Sequence, residues 1–171
     1  VRIRLLTSES HLDGNVRRAK LLDACALMAD RLERPEDALV HYERLVHENP
    51  ADDEFADRYE TTLQSLERWE PLIEHLERRS EALGDSDSTD AIDFRRAMVH
   101  LRRLGDLSVA LESLLSLVGS ESVGNKVHEV LRELALDDGT TEDTRSRIVS
   151  TLTEHFHTHE DRLGRSSLLE L

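Results

Sequence analysis

The residues whose types could do chemistry are few. The densest group is Glu154-His155-Phe156-His157-Thr158-His159-Glu160. On a helix His155 and His159 are one turn apart on one face, the spacing at which two imidazoles can chelate a metal ion. His157 points elsewhere, there is no His-Glu-x-x-His order, and no cysteine is near. A metal site needs three or four converging ligands, so neither a metal nor a cofactor is expected. These histidines read as solvated or half-buried side chains whose protonation near neutral pH could modulate an interface. The single cysteine, Cys25, cannot form an internal disulfide and reads as a core residue. It allows a reducing, cytoplasmic compartment without establishing one. There is no glycine-rich phosphate loop, no Gly-x-Ser-x-Gly elbow and no cysteine paired with a base. With none of these, the chain is not expected to be an enzyme.

Charge narrows the partners. The formal net charge is −14 and the isoelectric point about 5.0. A nucleic-acid binder needs a basic face that releases phosphate counterions, so no nucleic acid is expected, whereas a negative field keeps a protein soluble and favours basic partners. No apolar run approaches the roughly 20 residues of a membrane-spanning helix. The chain begins at Val1 rather than Met and is expected to be a fragment or a processed product.

The elements that must position these residues read as helices throughout. Only 4% of residues are aromatic and 34% are charged, with 7 Gly and 3 Pro in 171 residues, a mixture dominated by side chains that lose little freedom in a helix. Apolar residues recur at helical spacing. Leu21, Leu22, Cys25, Met28, Ala29 and Leu32 form one stripe, and Ala38, Leu39, Tyr42, Leu45 and Val46 form a second after Pro35. Phe55, Tyr59, Leu63 and Leu66 are followed, after Trp69 and Pro71, by Leu72, Ile73, Leu76 and Leu83. Trp69 is expected to pack into the core beside Pro71. Gly84 and the run Asp85–Ser88 read as a loop. Phe94, Ala97, Met98, Leu101 and Leu104 precede a turn at Gly105-Asp106, and Ala110, Leu111, Leu114, Leu115 and Val118 follow it. A fourth pair carries Val127, Val130, Leu131 and Leu134, then Ile148, Val149, Leu152 and Phe156, with Thr140 as the expected cap of its second helix. Leu163 to Leu171 is expected to start a further helix, and Val1, Ile3 and Leu5 to end an earlier one. Such periodicity serves an α-solenoid or an irregular bundle alike.

Helix pairs of about 34 residues are the period of the tetratricopeptide repeat, and the chain resembles that family residue by residue. In 19–52, Leu22 stands at the family's tryptophan, Cys25 at its leucine, Ala26 and Ala38 at its two small residues, Tyr42 at its aromatic position and Pro50 at its late proline. In 91–124, Phe94, Ala97, Leu101, Ala110 and Leu114 fall into the same frame. Ala38 and Ala110 are 72 residues apart, two periods of about 34 plus four. The unit 53–86 departs from the pattern with Glu60 where a small residue is expected, and 125–160 follows it only in periodicity. The resemblance implies an all-α fold: a right-handed α-solenoid of about four antiparallel helix pairs across a single domain, 1–171, with partial helices at both ends, as a segment of a longer array. Stacking of neighbours would complete the core and leave a concave face.

In the resembled family that face is lined by the first helices and holds peptides or helices of partners. The corresponding residues are Lys20, Asp23, Leu27, Asp30 and Arg31, then Glu54, Asp57, Thr61, Gln64 and Ser65, then Ile92, Arg95, Val99, Arg102 and Arg103. Arg95, Arg102 and Arg103 form the most testable cluster, since guanidinium forks suit carboxylates, and Lys20, Asp23, Asp57 and Gln64 complete the candidate groove. Some members of the family clamp a chaperone's C-terminal carboxylate through Lys and Asn. Here Asp23 and Leu27 occupy those places, so that use is not expected. The expected function is a non-catalytic scaffold for a protein or peptide partner. The alternative is a structural spacer, or a segment that self-associates through its terminal repeats.

Overall fold

A computed structural model describes residues 14–31, 34–84 and 87–169. Among them are eight α-helices, two five-residue π-helical segments and no strand. The chain is all-α, as its composition demands. Val1, Ile3 and Leu5 lie outside the described residues. The chain divides into two compact units, residues 1–82 and 83–171.

In the first unit, α1 (Gly14–Ala26) runs into a π-helical segment, Leu27–Arg31. Then come α2 (Pro35–Glu48), α3 (Asp53–Ser65) and α4 (Trp69–Leu83). Pro35 opens α2, where its missing N–H has no partner to lose. Consecutive helices pack on one another, α2 against α1 and its π-helical end, and α3 against α2. Leu22, Cys25, Ala38, Tyr42, Phe55, Tyr59, Leu63, Leu72 and Leu76 are buried between them. Trp69 is half-buried and Pro71 exposed, so the indole is not the core anchor expected of it.

The second unit holds α5 (Asp87–Val99), a π-helical segment His100–Leu104, α6 (Leu107–Ser116), α7 (Gly124–Leu136) and α8 (Glu142–Leu169). Ala97, Leu111, Leu114, Leu117, Val127, Leu131 and Ile148 form its core, with Phe94, Met98, Leu101 and Leu152 packed at its edge. Several expectations shift. Asp87 and Ser88, read as loop, open α5. Thr141, not Thr140, caps α8 by accepting from the Thr144 N–H at 3.3 Å, because its hydroxyl sits three residues before that donor. Val149 and Phe156 are exposed, since Ile148 and Leu152 carry the buried stripe of α8 between them. Residues 163–169 continue α8 rather than starting a new helix.

The two π-helical ends are equivalent. The Arg34 N–H donates to the Met28 carbonyl at 3.1 Å, and the Asp106 N–H to the His100 carbonyl at 2.9 Å. One helical turn on, the Ala38 N–H donates to the Arg34 carbonyl at 3.2 Å and the Ala110 N–H to the Asp106 carbonyl at 3.1 Å. Each pair of bonds is offset by the 72 residues that separate the two alanines, and both alanines are fully buried. The turn closes at Gly105 with φ of +69°, a left-handed conformation that glycine adopts without a Cβ penalty.

Asp52 ties two helices of the first unit together. Its carboxylate accepts the Glu54 and Phe55 N–H groups at 3.1 Å, capping α3. It also accepts a two-pronged bond from Arg18 of α1, at 2.5 and 2.6 Å. The Arg18 guanidinium stands over the Phe55 ring at 4.9 Å and holds the Asp52 carboxyl below its ordinary range, with the backbone N–H groups acting in the same direction. A depressed folded value stabilises the protein above the unfolded carboxylate value near 3.9 and loses that stabilisation as pH falls through the lower folded value. Asp52→Ala should therefore lower the unfolding free energy by about 1–2 kcal/mol at neutral pH. Urea denaturation across an acid series should show the gap to the parent chain closing below about pH 4.

Candidate functional site

The seven candidate groove residues divide between the units. Lys20 and Asp23 on α1 and Asp57 and Gln64 on α3 are exposed. On α5 and its extension Arg95 is half-buried, while Arg102 and Arg103 are exposed. Arg102 and Arg103 both belong to the π-helical turn, whose wider winding shifts their azimuth from the regular two-turn register with Arg95. Of the other residues mapped to the groove, Leu27 is exposed, but Ile92 and Val99 are buried.

The departure at Glu60 has a physical explanation. Glu60 of α3 is buried, and so are His75 and Arg79 of α4, each at 3–4% exposure. Arg79 donates to Glu60 Oε1 at 3.1 Å and, from its other terminal nitrogen, to Asp53. His75 Nε2 lies 3.5 Å from the same Glu60 oxygen, and its ring meets Tyr59 edge-on, with centroids 5.0 Å apart. A buried carboxylate is tolerable only when paired and hydrogen-bonded. Where a small residue would bring α3 and α4 together directly, this unit spaces them with an ion pair. His75 and Arg79 were missed in the sequence. The available signal was Glu60 at a small-residue position, with His75 and Arg79 sharing a helix face with Leu72 and Leu76. So little exposed, the group holds α4 to α3 and does not face a ligand. Cys25 is likewise enclosed. Burial pushes its thiol up to about 11, so it is protonated at neutral pH and a poor nucleophile.

The second unit carries an open cleft of roughly 880 Å³ between the α6–α7 turn, α7 and α8. Val118 and Gly119 line it from the turn with Glu121; Asn125 and His128 line it from α7, and Glu154, His155 and Phe156 from α8. Three rings cluster there: His128 stands 5.3 Å from His155 and 5.4 Å from Phe156, and His155 stands 5.8 Å from Phe156. One ring neighbour of His155 is thus a histidine from another helix, which spacing along one helix could not show. At Gly124 a Cβ would stand 3.1 Å from the Val118 carbonyl oxygen, so glycine lets the turn close against α7. His157 is exposed, and the side chain of His159 lies outside the described residues. Among the described residues no three His, Cys, Asp or Glu side chains are grouped to hold a metal, and no helix is long and apolar enough to cross a membrane.

The buried ion pair is open to test. Arg79→Met should lower the unfolding free energy by about 3–5 kcal/mol by stranding Glu60. Adding Glu60→Met should recover most of that loss in urea denaturation. Strict additivity of the two changes would mean that the charges are not coupled. No protein-family model, curated protein or solved structure matches the chain.

Proposed function

We propose that the chain is a non-catalytic interaction module of tetratricopeptide-like helix pairs, an α-solenoid that holds a peptide or helix of a partner protein. The observation that carries the reading is the repetition at 72 residues. The same residue type sits fully buried at Ala38 and Ala110, and the same backbone hydrogen bonds wrap the π-helical ends of the two preceding helices. Recurrence of sequence and backbone together is the mark of a repeat array, whose units need neighbours to complete their cores and present extended surfaces to partners. Two further features fit. The only cysteine is buried and protonated, and the titratable groups brought together at Glu60 are enclosed.

Within this reading the exposed arginines of the second π-helical turn are the candidate contact for an acidic segment. Arg102→Glu with Arg103→Glu should change the stability by less than about 0.5 kcal/mol, because both side chains are exposed. It should weaken binding of a labelled glutamate–serine peptide about tenfold. Fluorescence anisotropy with the full chain reads the binding, and a circular-dichroism melt reads the stability. Unchanged binding would remove the arginines from the contact. Absence of saturable binding to acidic and basic peptides alike would turn the reading towards a structural spacer.

A further inference from the structure

The cleft of the second unit has a composition that selects its occupant. Two carboxylates, Glu121 and Glu154, line it together with the rings of His128, His155 and Phe156, and among the described residues its lining contains no lysine or arginine. The apolar floor comes from Leu115 and Val118. Aromatic faces attract a cation through their quadrupole, and carboxylates attract it through their charge. Phe156 is 54% exposed although α8 buries Ile148 completely, so a large apolar ring stands open at the cleft. The buried Nε2 of His128 has no hydrogen-bond partner, and a neutral imidazole has a nitrogen that can accept from an N–H donor.

We propose that this cleft takes a lysine or arginine side chain from a basic segment of a partner polypeptide. The proposal rests on the interaction reading above and names the chemistry of one of its partners. The segment's alkyl stem would lie along Leu115, Val118 and Phe156, as long cationic side chains cover apolar surface while their heads stay polar. Its head would meet Glu121 and Glu154. The strongly negative chain, at −14, draws basic segments in from a distance; the cleft fixes where they stop.

The test uses the full chain and a fluorescein-labelled arginine–serine peptide, read by fluorescence anisotropy, with its glutamate–serine counterpart as the reference. Glu121→Gln with Glu154→Gln should weaken binding of the basic peptide about tenfold. Glu133→Gln with Glu142→Gln removes the same charge from exposed positions of the second unit that do not line the cleft and should change binding less than about twofold. Phe156→Leu, which keeps an apolar side chain, should weaken it about two- to fivefold. Equal losses in the two glutamate pairs would overturn the proposal, because attraction to net charge would then account for everything. Binding untouched by the cleft variants would place the peptide elsewhere and end the cleft assignment while the interaction reading stands. If the parent chain binds the acidic peptide and not the basic one, the cleft proposal fails and the arginine contact survives. Failure of both peptides ends both readings.

Discussion

A helix with one apolar stripe must cover it with another helix, and the smallest side chain between them sets how near the two can come. Ala38 and Ala110 are both fully buried, and each stands one turn into the second helix of its pair. Each helix that precedes them ends in a widened π-helical turn closed by the same backbone hydrogen bonds. The close approach and the widened turn belong together. A π-helical turn takes up an extra residue and re-aims the chain, and in both places that happens just before the chain enters the helix carrying the alanine. The remaining stripes of Leu, Val, Ile and aromatic residues fill the space that this geometry leaves.

Between α3 and α4 the same problem has another solution. Glu60 is too large and too polar for a small-residue contact, and α4 meets it with Arg79 and His75. Ion pairs of this kind contribute little net stability relative to apolar side chains of the same volume, but breaking one is costly. The first unit therefore contains a point of tight mutual dependence that the second lacks among its described residues. The Arg18–Asp52 link adds a second tie between distant parts of that unit. It fixes α1 to the start of α3 through one carboxylate that is also a helix cap.

Surface chemistry follows from what the cores leave outside. The chain's excess of acid is spread over exposed helix faces, where most individual pairs contribute little. Two places differ in kind. One is the pair of adjacent arginines on the second π-helical turn; the other is the ring-lined cleft with its two glutamates. Both lie in the second unit, and they are opposite in charge. On the proposed reading, such a module would discriminate between partners by charge pattern more than by buried area.

The all-helical character was legible because helical periodicity and a composition poor in glycine, proline and β-branched runs leave no other regular structure open. Helix boundaries followed from local rules, with Pro35 opening a helix and Gly105 closing one, and the 72-residue repetition could be read directly from Ala38 and Ala110. Local rules failed where two helices had to be seen together. Glu60 looked like a defect in a repeat until Arg79 and His75 arrived from the next helix. Ile92 and Val99 fell at groove positions by register, yet both side chains are buried. His155 suggested a partner one turn along its own helix, whose side chain lies outside the described residues; the ring neighbours described for it are Phe156 and His128, the latter from α7. Sequence periodicity fixes which face of a helix is apolar, because that depends on the helix alone. Which polar groups meet, and which are shut from water, depends on distances between helices, and those exist only once the chain has folded.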